Sequence, residues 1–312
     1  MTPDNRRLDR AAGVLLGSAA GDALGAGYEF SYPRPSVVID MIGGGPFGFA
    51  PGEWTDDTSM AIAVAEVAAT GADLRTTEAL DAVAAGFLRW YDGKPKDVGN
   101  QTAAVLSQRP VDAAAMTAAA RALTGRTGGN GSLMRTSPVA LAHLDDADAC
   151  VAAARAVSDL THSDPRAGEA CQMWSYAIRH AVLHGSFDGV RRYLDEADGD
   201  QRAFWSPLLD VAEQETPADF SNNGWVVHAL QTAWWAITST PASGPGHLAS
   251  ALEQAVRAGH DTDTTAAIAG GLLGARWGAG AVPSRWRSML HGWPGLTDDD
   301  LVLMAHAAVG IR

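Results

Sequence analysis

Four glycines, Gly13, Gly17, Gly21 and Gly25, recur at every fourth position of one apolar stretch, and Gly270, Gly274 and Gly278 repeat the pattern near the other end of the chain. Both stretches otherwise read as helix, with alanine and larger apolar residues recurring at three- and four-residue spacing. A helical glycine costs about 0.8–1 kcal/mol relative to alanine, so each row costs about 3–4 kcal/mol that some interaction must offset. Residues four apart lie along one ridge of a helix. A bare ridge lets another helix approach until backbones touch, whereas without such a neighbour the row would fray its helix. The rows therefore predict close helix packing near both ends of the chain.

The rest of the sequence follows the same period. Candidate helices cover about 8–27, 56–70, 77–91, 98–107, 111–123, 132–144, 147–160, 165–184, 187–196, 200–213, 224–239, 246–258, 263–278 and 297–308. Only 36–41, Ser-Val-Val-Ile-Asp-Met, has the composition of a short strand. The glycine-rich stretch from Gly43 to Gly52 reads as a loop over a site, and no linker of domain-separating length interrupts the chain. The expectation is all-α: one compact multi-helix domain over residues 1–312, without a solenoid repeat. Hydrophobic residues make up 46% of the 312, enough for a sizeable core.

Cys150 and Cys171 are the only cysteines and lack metal-type spacing. They read as small buried hydrophobes in a reduced, cytoplasmic protein. No signal-peptide run follows the N-terminus, and the apolar stretch from Ala266 to Ala275 is too short to span a bilayer. A net charge of −13 argues against a broad nucleic-acid-binding face or an anionic membrane surface. It leaves room for a small anionic ligand held by backbone N–H groups.

Two acidic clusters carry the chemistry. Thr55-Asp56-Asp57-Thr58 opens one candidate helix, and Asp261-Thr262-Asp263-Thr264 opens another some two hundred residues later. Threonine and aspartate are good helix caps, and acids in a first turn suit the helix dipole. One cap needs one side chain, however, and each cluster holds two acids and two threonines. Carboxylates and hydroxyls are hard oxygen donors that suit Mg²⁺ or Mn²⁺. Four carboxylates brought together would demand cations, and two divalent ions would neutralise them.

Two further motifs have both a ligand reading and a structural one. Gly128-Gly129-Asn130-Gly131-Ser132 can turn several N–H groups into one concavity that holds a pyrophosphate, or can be an ordinary turn. In Thr161-His162-Ser163-Asp164-Pro165, Asp164 or Ser163 can cap a helix with Pro165 in its first turn, leaving His162 free to reach a ligand or to support the fold. Trp225, Trp234 and Trp235 share one helical stretch at a spacing that suits the core.

Together these segments resemble the ADP-ribosylglycohydrolase family. The matching stretches are Gly17 to Gly25, Glu29, Trp54 to Thr58, Gly129 to Arg135, Thr161-His162 and Asp261 to Thr264, in the family's order. The resemblance implies an all-α fold with two divalent ions, Mg²⁺ or Mn²⁺, in a central cleft. It implies Thr55, Asp56, Asp57, Asp261, Asp263 and Thr264 as metal ligands. Gly128, Gly129, Asn130, Gly131, Ser132 and His162 would hold ADP-ribose. Glu29, Asp56 and Asp57 would be the catalytic carboxylates, one of them positioning or deprotonating the attacking water.

The implied reaction cleaves the C1-ribose bond between ADP-ribose and an acceptor, an arginine or serine side chain, through an oxocarbenium-like transition state. The substrate would be an ADP-ribosylated protein or small molecule, and the product ADP-ribose. Two alternatives stand beside this: a catalytically silent ADP-ribose-binding protein and a two-metal phosphoester hydrolase. The sequence departs from many relatives at His260, where they have glycine, and at Asp164, where they have a second histidine, so the acceptor side is the open part.

Overall fold

In the computed structural model, which describes residues 3–310, the chain is helical almost throughout. The first eight α-helices are α1 (Pro3–Gly25), α2 (Asp56–Ala68), α3 (Thr77–Asp92), α4 (Asn100–Leu106), α5 (Ala113–Ala122), α6 (Ser137–Ala142), α7 (Ala147–Asp159) and α8 (Pro165–His184). They are followed by α9 (Gly189–Glu196), α10 (Gly199–Gln214), α11 (Val226–Ser239), α12 (His247–Arg257), α13 (Thr262–Trp277), α14 (Ser284–Arg287) and α15 (Asp298–Ala308). A two-stranded antiparallel hairpin, His291–Gly292 with Leu296–Thr297, is the only sheet among the described residues. One continuous core runs through these elements, with Trp54, Trp90, Trp174 and Trp205 among its largest buried side chains. None of the described helices is long and apolar enough to cross a membrane. Cys150 and Cys171 are both free and buried.

Most expected helices lie where the periodicity puts them, with three differences. The stretch 132–144 is broken into a tight turn, Leu133–Arg135, and α6, because Pro138 fits only the first turn of a new helix. Residues 36–41 form no strand. Their backbone is held by side chains instead: Arg257 donates to Val37 O (2.7 Å), and the Tyr28 hydroxyl accepts from Asp40 N (3.1 Å). Helix α14 spans four residues, too few to show a period.

The two glycine rows meet each other. Helices α1 and α13 run antiparallel, with Gly13 against Gly274, Gly17 against Gly270 and Gly21 against Ala266. A Cβ at any of these glycines would fall under 3.0 Å from backbone of the other helix. At the end of the row, Gly25 abuts Asp263, and the Thr262 hydroxyl donates to Gly25 O (2.9 Å). The C-terminal end of α1 is thereby locked to the N-terminal end of α13, where the second acidic cluster lies.

This contact reverses the usual sign of a Gly→Ala change. Alanine at position 17 gains about 1 kcal/mol of helix propensity, but overpacking against rigid backbone costs about 1–3 kcal/mol or more. Gly17→Ala and Gly270→Ala are each expected to lower the urea midpoint. Gly199→Ala, at the open start of α10 with nothing within 4 Å, is expected to leave it unchanged or raise it. Equal behaviour of the three variants would contradict the packing.

Candidate active site

Helices α2 and α13 both begin in one cleft of about 800 Å³. The acidic clusters belong to these two starts, so the fold brings them together. Thr264 Oγ1 donates to Asp57 Oδ2 across the junction (3.4 Å), and Thr55 Oγ1 donates to the same oxygen (3.1 Å). Carboxylate oxygens of Asp22, Asp57 and Asp263 lie within 4.8 Å of one another, as do those of Glu29, Asp261 and Asp263. Asp263 is common to both groups. Asp56 is buried and lines the cleft.

Helix capping does not account for these acids. The start of α2 is capped by Thr55 and by Asp22, a residue of α1 that accepts from Thr55 N (3.0 Å), Thr58 N (3.0 Å) and Thr58 Oγ1 (2.6 Å). At α13, Asp261 occupies the cap position without making a side-chain cap bond. Asp57 Oδ1 is buried with no hydrogen-bond partner. An all-oxygen set that converges, is buried and retains an unpartnered carboxylate oxygen fits hard divalent cations. Neither group contains a histidine.

Electrostatics agree with the geometry. Burial pushes the carboxyls of Asp56, Asp57 and Asp263 well above the usual range, and neighbouring carboxylates push the same way: Asp97, Asp22 and Asp261 on Asp56; Asp22, Asp56 and Asp261 on Asp57; Asp57, Asp261 and Glu29 on Asp263. Glu29, half-buried at the cleft, rises to about 9, from burial first and then from Asp261, Asp97, Asp56 and Asp22. Asp22 rises to about 6 through burial, opposed by its hydrogen bonds to Thr58 and Thr55.

The opposite wall of the cleft is the loop Gly128–Ser132. Its ends are tied down: Val226 N donates to Gly128 O (3.0 Å), and Gly129 N to Gln101 Oε1 (3.4 Å). The Asn130 amide donates to Asn223 O (2.9 Å) and to Asp261 Oδ2 (2.7 Å), so this side chain joins the loop to the acidic cluster. Ser132 is fully buried and its hydroxyl accepts from Ser158 (2.9 Å), facing away from the cleft. His162 packs against the loop, where a Cβ at Gly131 would stand 3.1 Å from its ring, and it also lines the cleft. Its Nδ1 is 2.7 Å from the Thr161 hydroxyl, which accepts from the buried Arg135 (2.7 Å). Burial and then Arg135 hold His162 well below its ordinary pKa, so it is a neutral imidazole. Asp164 caps α8, accepting from Arg166 N (2.8 Å).

Sequence reasoning assigned no role to Asp22, Asp97, Gln101 or Asn223, all of which touch or line this site. Asp97 stands alone in a loop between Lys96 and Val98, with no second acid beside it to signal a site. Trp225, at the cap of α11, is half-buried against the core and also lines the cleft, while Trp234 is buried as expected.

These shifts fix a pH dependence. Asp22 and Asp97 rise to about 6 and Glu29 to about 9, above the unfolded values near 4. Their contribution to stability is therefore complete below about pH 4 and is lost as pH rises through the folded values. In EDTA the melting temperature is expected to fall from about pH 5 to about pH 9. Mg²⁺ or Mn²⁺ is expected to raise it more at about pH 8 than at about pH 5, since the ions bind the ionised form. Thermal-shift curves flat in both pH and metal would contradict this.

A family model described as ADP-ribosylglycohydrolase matches residues 3–310. An ADP-ribosylarginine hydrolase of Pseudomonas putida (strain GB-1) is 31% identical over 305 residues, covering 92% of this chain and 75% of that protein. The ADP-ribosyl-(dinitrogen reductase) glycohydrolase of Rhodospirillum rubrum is 30% identical, covering 90% of each. A solved structure titled as an ADP-ribosylglycohydrolase-related protein complex superposes with a TM-score of 0.75 at 29% identity, covering 98% of both chains.

Proposed function

The chain belongs to the ADP-ribosylglycohydrolase family, and from that premise we propose that it is a metal-dependent hydrolase that releases ADP-ribose from arginine side chains. Similarity to arginine-specific relatives supports the acceptor. The observation that carries the reading is the convergence of buried, histidine-free carboxylates in a cleft whose other wall is a glycine loop. Thr55, Asp56, Asp57, Asp261, Asp263 and Thr264 would hold two divalent ions, with Asp22 holding the start of α2 in place. When bound, Mg²⁺ or Mn²⁺ supplies positive charge that orients the ribose hydroxyls and makes water a better nucleophile.

The chain's own groups do the rest. Backbone N–H groups of the Gly128–Ser132 loop hold the pyrophosphate, with His162 buttressing the loop. The ribose then sits over Asp56 and Glu29. As the C1–N bond to the guanidino group lengthens, positive charge develops on the ribose ring, and the surrounding carboxylates stabilise it. With the neighbouring carboxylates that raise its pKa neutralised, Glu29 would ionise and accept the proton from the attacking water through a carboxylate oxygen. The departing guanidine takes up that proton and leaves as a guanidinium ion, while the water's hydroxyl stays on C1.

The test is incubation with arginine-linked and serine-linked ADP-ribosyl peptides while free ADP-ribose is followed. Release from the arginine linkage, abolished by EDTA and restored by Mg²⁺ or Mn²⁺, is expected; no release from it would reject the proposal. Glu29→Gln keeps size but loses the basic oxygen, and is expected to reduce kcat by roughly 10²–10⁴ with ADP-ribose affinity little changed. Calorimetry on Gly131→Val, whose side chain would press into His162, is expected to show weaker ADP-ribose binding with the fold intact.

A further inference from the structure

At the mouth of the cleft, beside Glu29, stand two aromatic rings that the reading above leaves unused. Phe30 and Phe47 both line the cleft, edge to face with ring centroids 6.4 Å apart and planes at 67°. Phe30 is 59% exposed, unusual for a phenylalanine. Its backbone is left-handed, φ 57°, a strained conformation for a bulky side chain. His260 is left-handed too, at φ 64°. The two strained segments hold each other, with Phe30 N donating to His260 O (2.6 Å) and His260 N to Ser31 O (3.1 Å). The imidazole of His260 meets the edge of Phe30, centroids 6.0 Å apart.

Phe47 is presented in a similar way, at the tip of a turn closed by reciprocal hydrogen bonds between Gly44 and Phe49 (2.7 and 3.1 Å). The ring row continues to Phe49, whose face already carries a cation: Lys96 Nζ lies 5.1 Å from its centroid. An exposed, strained ring at the rim of a strongly acidic cleft is poorly explained by packing. It is well explained by a planar cation. A guanidinium stacks on aromatic faces, sheds water more easily than an ammonium and is drawn inward by Glu29, Asp97 and Asp261.

We propose that Phe30 and Phe47 form an aromatic clamp for the guanidinium of the arginyl acceptor and give the enzyme its preference for that linkage. This rests on the arginine-specific hydrolase reading. The clamp grips the guanidinium most strongly in the ground state, before its charge passes to the ribose as the C1–N bond lengthens, so losing the clamp raises KM and does not lower kcat. A serine-linked substrate has neither the charge nor the plane to use it.

The experiment compares the parent protein with Phe30→Leu, Phe47→Leu and Phe30→Trp on an arginine-linked ADP-ribosyl peptide, with ADP-ribose affinity measured alongside. Leucine keeps apolar bulk without the π face. Each leucine variant is expected to raise KM roughly 3- to 30-fold with kcat within about threefold, the range that a cation–π contact supplies. Inhibition by arginine amide is expected to weaken in parallel, Phe30→Trp to retain the parent's KM, and ADP-ribose affinity to stay put. Unchanged KM in both leucine variants overturns the clamp while leaving the hydrolase intact. A loss of ADP-ribose affinity in both overturns it as well, assigning the rings to the nucleotide. A parent protein that releases no ADP-ribose from arginine overturns the hydrolase reading, and the clamp falls with it.

Discussion

Backbone pressed on backbone between α1 and α13 sets the position of every group in the cleft. Gly13, Gly17 and Gly21 on one helix meet Gly274, Gly270 and Ala266 on the other, so the pair has one register. A slip by one residue would turn each bare ridge by about 100° and drive side chains into carbonyls. From this fixed pair, Thr262 reaches back to Gly25 and Asp22 reaches across to the start of α2. Three helix ends are thus tied at one point. The conformational cost of the glycines and the placement of the acids have one physical origin.

What is tied there would repel itself in isolation. Asp22, Asp56, Asp57 and Asp263 are buried; burial raises the pKa of all four, and neighbouring carboxylates raise those of Asp56, Asp57 and Asp263 further. None of the salt bridges among the described residues reaches them. The nearest buried cation, Arg135, is spent on Thr161, Val157 O and the face of Phe87. The positive ends of α2 and α13 help, but a first-turn dipole does not balance this many carboxylates. The chain has built an excess of buried negative charge that protons offset at low pH and that, on the proposed reading, divalent ions offset above it.

The all-α fold and most helix bounds were legible because apolar periodicity and glycine spacing are local signals. Pairing of the two glycine rows was not, since each row says only that something comes close. The acidic clusters were legible as excess over what capping needs, and the contacts of Asp22 give the reason: it does part of the capping itself. Asp97, Asn223 and Gln101 left no trace, because each is an isolated polar residue, the first two in loops and Gln101 in the first turn of α4, whose role depends on a distant partner, as with Asn223 and Gly259 O. The strand expected at 36–41 failed because β-branched residues state a preference, not a partner. Asn130, read as a ligand residue, lines the cleft, and its amide is also bonded to Asp261, a contact the sequence does not signal.

A cleft this acidic faces a sorting problem. On the proposed reading it takes up two hard divalent ions and also admits a substrate that carries a soft, planar cation. If carboxylates were the only attraction, the guanidinium would compete for the metal positions. Aromatic rings separate the two. A π face attracts a weakly hydrated guanidinium and offers nothing to a strongly hydrated divalent ion, whereas buried carboxylate and threonine oxygens favour the divalent ion. Phe30 follows Glu29 directly in the chain, and its partner His260 directly precedes Asp261. Each strained aromatic position is therefore one residue from an acid of the cluster. On that reading the strain turns the chain so that successive side chains face different ways, Glu29 and Asp261 toward the acidic cluster and Phe30 outward to the acceptor.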